Sequence, residues 1–306
     1  MTSRGTGPHL TLVFLLVLLV FPGCAAVSGE QPHVTPERVM NHLERIVGYG
    51  PHPPGSPAQK QVGLYILQQL KSYGLPVHTE AFEPLTPKGP LEMINIWGVA
   101  KGEKTSVIIL ASHYDSKLFD NFRFVGANDG GSSTALLLEL ARVLANNNPT
   151  RHTLWFVFFD GEEAIEEWTP QDSLYGSREF VRALRRQSRL SSVAAMILLD
   201  LVGGKDLRLF QDVNSTGWLR SIIWKRAQRE GYSNIFQPTG TTAAEDDHMP
   251  FAAAGIPVVD IIDLRYAHWH QAGDTLDKLS AENMAVVGDV LLGALAEIGR
   301  RLDSGR

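Results

Sequence analysis

Residues 153–159 read Thr-Leu-Trp-Phe-Val-Phe-Phe, and the chain then turns at once into Asp160-Gly161-Glu162-Glu163-Ala164. A run with no polar face predicts a strand buried on both sides, the kind found in parallel sheets covered by helices. The acidic residues then stand at the strand's end, where α/β proteins keep their sites. Two adjacent carboxylates cannot point the same way from one backbone. They predict a division of labour in which one holds a metal and its neighbour moves a proton.

The same alternation of short apolar strands and helical patterns fills the chain. Thr35-Pro36-Glu37 and Ser56-Pro57 open two helices, closed by Gly48 and Gly74. Strands are expected over 77–82, 93–99, 107–111, 193–199 and 257–262, with a short one at 207–210. Further helices are expected over 134–144, 179–186, 218–229 and 281–302, and residues 239–244 read as a small-residue loop. This pattern predicts one three-layer α/β domain, its mostly parallel central sheet carrying helices on both faces.

Ahead of that domain, residues 10–22 form an apolar run behind Arg4 and before Gly23-Cys24-Ala25-Ala26. It is short for a membrane span and has the charged start and small-residue finish of a secretory signal. Cys24 is the single cysteine, placed like the lipidated cysteine of bacterial lipoproteins. The expected organisation is a signal peptide at 1–23, a tether at 24–34 and a catalytic domain at 35–306. An exported, membrane-anchored protein without a disulfide follows. From Cys24 onward there are 33 acids against 27 bases, a balance that argues against nucleic acid as a partner.

The polar signals fall just after expected strands: His113 and Asp115, Asp129, Glu162 and Glu163, Asp200, Asp246 to His248, and His268 with His270. Segments so far apart converge if they leave the same edge of one sheet. Oxygen and imidazole donors without thiolates suit a catalytic zinc site, where three protein ligands leave a position for water or substrate.

Several of these segments resemble the animal-type glutaminyl cyclases, which share their fold with the co-catalytic zinc aminopeptidases. They are His113-Tyr-Asp-Ser-Lys117, Phe124-Val-Gly-Ala127 with Asp129, Phe158 to Ala164, Trp168 with Pro170 to Arg178, Leu199-Asp-Leu201, Asp246-Asp-His248 with Pro250-Phe251, and Trp269-His270. The likeness spans residues 36–303 in element order, and the stretch from Glu162 to Arg178 is its most specific part. It implies that Asp129, Glu163 and His270 bind one zinc per chain and that Glu162 is the general acid and base. It also implies an acid network of Asp200 and Asp246, and a pocket lined by Trp168 and Trp269. The implied substrate is a peptide or protein whose N-terminal glutamine closes to pyroglutamate with release of ammonia.

This chain departs from the family at three points. Ser112 and Thr134 stand where the animal enzymes carry a disulfide pair, Glu245 replaces a glutamine that helps hold the substrate, and the chain is shorter. Two rival readings stand beside the cyclase. His113, Asp129, Glu163, Asp200 and His270 are together the ligand positions of a two-zinc aminopeptidase, which would clamp a water for hydrolysis. A lipid-anchored peptide-binding protein without catalysis is the other, and intact Glu162 and Asp246 speak against it.

Overall fold

The computed structural model describes residues 1–5, 7 and 33–305. The apolar run 10–22, Cys24 and the tether up to residue 32 lie outside the described residues. In chain order the elements are α1 (Pro36–Gly48), α2 (Pro57–Ser72), β1 (Val77–Phe82), the hairpin β2 (Leu85–Thr86) and β3 (Gly89–Pro90), β4 (Met93–Ala100), β5 (Lys104–His113), α3 (Gly131–Leu144) and β6 (His152–Phe159). There follow α4 (Tyr175–Arg186), β7 (Val193–Asp200), β8 (Leu209–Asp212), α5 (Gly217–Arg229), β9 (Phe236–Thr242), α6 (His248–Ala253), β10 (Val258–Ile262) and α7 (Ala281–Asp303).

The apolar run that opened the sequence argument becomes β6, every residue of which is buried. Six strands pair in the order β1-β4-β6-β5-β7-β10. The pairs β6/β5, β5/β7 and β7/β10 are parallel, and only β4 runs against its neighbours, pairing antiparallel with β1 and β6. Side chains alternate across the sheet, as the two-residue period of a strand requires. Leu154, Phe156 and Phe158 enter a core shared with α1, α2, α3, α5 and α7. Trp155, Val157 and Phe159 enter a second core with Phe180, Val181 and Leu184 of α4 and Phe251 of α6. Three layers result because β6 has no side that water could face. Each large apolar side chain buried there contributes about 1.5–3 kcal/mol, more than any local preference of the segment.

Local signals set most helix starts. Ser56 and Ser280 cap α2 and α7 by accepting from Gln59 N and Asn283 N, at 3.1 and 3.2 Å. Thr35 occupies the N-cap position of α1 without a capping bond from its side chain. Four expectations change. α4 begins at Tyr175 instead of residue 179, and α3 at Gly131 instead of 134, since Gly176 and Gly131 pack where a side chain cannot: a Cβ would meet Asp160 O or Gly126 O at 2.5 Å. Residues 239–242, read as loop, belong to β9, which pairs parallel with β8 in a separate two-stranded sheet. The short α6 was not anticipated; Pro250 sits near its start, where a missing N–H costs no helix bond.

At the carboxyl end of β5, Ser112 and Thr134 do face each other. Ser112 Oγ donates to Ser133 Oγ at 2.9 Å and lies 3.3 Å from Thr134 Oγ1, which donates to His113 O at 2.8 Å. Hydroxyls thus join β5 to α3. No helix among the described residues is long and apolar enough to cross a membrane.

Candidate active site

Strands β5, β6, β7 and β10 end on the same side of the sheet because they run parallel. They deliver His113, the Asp160–Glu163 turn, Asp200 and the segment leading to His270. The turn after β6 depends on Gly161, whose φ is +70° and whose site would place a Cβ 2.5 Å from Met93 Sδ. Leu201 and His270 also take left-handed backbone, at φ 50° and 54°. Such conformations cost of order 1–3 kcal/mol each and mark backbone held for a purpose.

Two sets of three donors converge here, and Asp129 belongs to both. Its Oδ2 lies 3.3 Å from His270 Nε2, which is 3.1 Å from Glu163 Oε1. Its Oδ1 lies 3.4 Å from His113 Nε2, which is 3.2 Å from Asp200 Oδ1. Donors about 2.0–2.1 Å from a tetrahedral zinc stand at separations of this order. The two sets differ in how far the protein satisfies them. Asp200 Oδ1 already accepts from Leu201 N at 2.7 Å, whereas Asp129 Oδ2 is buried without a hydrogen-bond partner. An acceptor left so is expensive unless a cation completes it, so Asp129, Glu163 and His270 fit a zinc ion.

The charges follow from this crowding. Burial pushes Asp129 upward, but the neighbouring His113 and His270 imidazoles outweigh it and leave the carboxyl below its ordinary range. Burial lowers His270, yet Asp129 and Glu163 reverse that and bring its pKa to about 10. Burial drives Glu162 well above the usual carboxylate range, with Glu163, Asp246 and Asp247 adding to the rise and His113 opposing it. Asp246 is raised well above its range by burial and then by Asp200. Carboxylates crowded in this way retain protons that isolated ones would lose.

A cavity of about 370 Å³ opens over the site, lined by Glu162, Asp200, Asp246, Trp168, Trp269 and Glu245 as well as the Asp129, Glu163 and His270 donors. All nine site residues expected from the sequence therefore share one pocket. Asp115 and Asp247 are buried behind its wall. Two expected members are elsewhere. His248 lies between Asp212 and Asp260, with Nε2 and Nδ1 at 3.6 and 3.5 Å from their carboxylates, because α6 turns it into the interior. His268 stacks edge-on against Tyr266 in a separate cleft beside Lys205 and Lys278.

Sequence reasoning missed the residues that hold the loops, except Asp115, which it placed at the site without this role. Asp274 accepts from Asn128 N and Asp129 N, and Asp115 accepts from Glu162 N and Glu163 N. Asp172 accepts from Ile165 N, Glu166 N, Glu167 N and the Tyr175 hydroxyl. Asp212 takes Ala244 N, beside Glu245 and Asp246. Each buried aspartate replaces the water that a loop's amides would otherwise need. Lys117 completes the set, donating to Ala164 O at 3.1 Å and lying 3.5 Å from Glu163 Oε2.

A mostly parallel sheet whose strand ends gather carboxylate and imidazole donors beside a buried glutamate defines an enzyme of the zinc-exopeptidase type. Comparison with known proteins narrows the class. The pattern of peptidase family M28 matches residues 95–295. The bovine glutaminyl-peptide cyclotransferase-like protein (Bos taurus) is 32% identical over 274 residues, which cover 80% of this chain and 71% of that one. The crystal structure of a glutaminyl cyclase from an Acidobacteriales bacterium superposes with a TM-score of 0.83 at 36% identity, covering 90% of this chain and 99% of the other. A Zn-dependent exopeptidase from Parabacteroides distasonis superposes at 0.79 with 26% identity, covering 87% and 99%. The chain belongs to peptidase family M28, on its glutaminyl-peptide cyclotransferase branch.

Proposed function

We propose that the chain converts the N-terminal glutamine of peptides or proteins to pyroglutamate and releases ammonia, using one zinc held by Asp129, Glu163 and His270. The observation that carries this reading is the unpartnered Asp129 Oδ2 beside His270 and Glu163, in the same pocket as Glu162, Trp168 and Trp269. When bound, zinc supplies a Lewis acid for the γ-carbonyl. Trp168 and Trp269, with Leu201 and Ile262, form apolar walls for the glutamine methylenes. They hold the α-amine against the γ-carbonyl carbon of the same residue, and such intramolecular positioning supplies much of the acceleration. The amine nitrogen forms the ring bond to that carbonyl carbon while the carbon–nitrogen bond of the carboxamide breaks. Glu162 takes the amine proton and passes it to the departing ammonia. Asp200 and Asp246 supply acid groups in the same pocket as Glu162.

Incubation with a peptide beginning with glutamine tests the reaction type. The expected product is an intact chain lighter by one ammonia in the mass spectrum. The His113, Asp129 and Asp200 set favours the two-zinc aminopeptidase as the second reading. Free glutamine as main product, with two metals per chain by elemental analysis, would establish that reading instead.

We also propose export and lipid anchoring through Cys24, supported by the apolar run 10–22 and the small residues around the cysteine. One acyl chain binds membranes weakly, so retention relies on the several chains of a lipoprotein. Cys24→Ser is expected to move the protein out of the membrane fraction. An unmodified thiol at Cys24 in the wild type, with unchanged fractionation of the variant, would sink the proposal.

A further inference from the structure

The carboxylates lining the active-site cavity divide by depth. Five are buried at its base, whereas Glu166 and Glu245 are exposed at its mouth. Neither mouth carboxylate has an ion-pair partner among the described residues. Lys117, the one lysine on the cavity wall, is drawn inward to Glu163 and Ala164 and does not neutralise them. Trp168 and Trp269 flank the same mouth with 39% and 42% of their surface exposed. Both carboxylates sit on braced segments: Glu166 N donates to Asp172 Oδ2 at 2.8 Å, and Ala244 N, next to Glu245, donates to Asp212 Oδ1 at 3.0 Å.

A glutamine with its α-amine and γ-carboxamide at the base of the pocket leaves the next residue at the mouth. We infer that Glu166 and Glu245 are specificity determinants that favour peptides carrying Lys or Arg directly after the N-terminal glutamine. This rests on the cyclase reading above. The cationic head meets two unpaired carboxylates, and its neighbourhood offers two indole faces for cation–π contact. An acidic second residue meets like charge at the mouth.

The test measures kcat/KM for ammonia release by the zinc-loaded enzyme on three otherwise identical peptides, Gln-Lys, Gln-Ala and Gln-Glu at their first two positions. The expected order is Lys above Ala above Glu, with roughly 10-fold between the extremes at low salt, the size that exposed charge pairs and cation–π contacts allow. Raising ionic strength from about 0.01 to about 1 M should compress the spread, since the Debye length falls roughly tenfold. The double variant Glu166→Gln, Glu245→Gln should flatten the series, and Glu166→Lys should favour Gln-Glu. Equal rates on the three peptides in the wild type, or a spread unchanged in the double variant, overturn the inference while leaving the cyclase reading intact. No ammonia from any of the three overturns both together.

Discussion

Glu162 is the residue on which reaction and metal separate most cleanly. Glu162→Gln keeps the shape of the side chain and removes its basicity, so turnover is expected to fall roughly 10²-fold or more, while zinc content stays at the wild-type level. Asp129→Ala should do the reverse in metal analysis, because Asp129 faces His270 on one oxygen and His113 on the other. Full zinc in that variant, or wild-type turnover in Glu162→Gln, would remove the residues from their assigned roles. The donor candidates stood out in the sequence because few residue types bind zinc and these follow apolar runs, whereas the choice of Asp129, Glu163 and His270 among them, and the pocket role of Trp168 and Trp269, came from the family resemblance. Asp172, Asp212 and Asp274 did not stand out, since a carboxylate that receives backbone amides has no fixed spacing from them. His248 was misread for a related reason: its partners Asp212 and Asp260 come from other strands.

At the level of elements, the loop between β6 and α4 shows how a site is held by segments with no regular structure. Residues 165–167 send three amides to one carboxylate, and that carboxylate also receives the hydroxyl of Tyr175 in the first turn of α4. Losing such an acceptor leaves the buried Ile165 amide unmet, at about 1–3 kcal/mol. Asp172→Ala is therefore expected to speed hydrogen exchange at residues 165–167 and to raise KM several-fold with a smaller change in kcat, because Trp168 loses its support. Unchanged exchange there would refute the bracing role. Strands such as β6 and β7 were readable from apolar content alone. The start of α4 was hidden by Gly176-Ser177, which look like loop residues until Asp160 and Asn95 are seen packed against them. β9 was hidden because Pro238 and Gly240 break every strand pattern, and a paired neighbour is what makes it a strand.

For the molecule as a whole, stability depends on groups kept neutral inside it. Burial holds the His42 pKa down at about 4, and its ring nitrogens meet the hydroxyls of Tyr65 and Tyr73 at 2.6 and 3.1 Å. Unfolding frees the ring to titrate near its ordinary 6.5. The contribution of neutral His42 is thus fully present above pH 6.5 and is lost as pH falls toward 4, the loss having reached about 2 kcal/mol by pH 5. Buried aspartates titrate in the same range, so the difference between wild type and His42→Gln isolates the effect. Urea unfolding at pH 7.5 and pH 5 should show the wild type losing about 2 kcal/mol more than the variant; equal losses would exclude the histidine. The hydroxyl joint between β5 and α3 acts on the same global scale but answers to a different variable. Ser112, Ser133 and Thr134 are joined without sulfur, so neither glutathione nor an oxidising foldase has any purchase on this scaffold. The joint therefore needs no oxidant to form and loses no bond to a reductant.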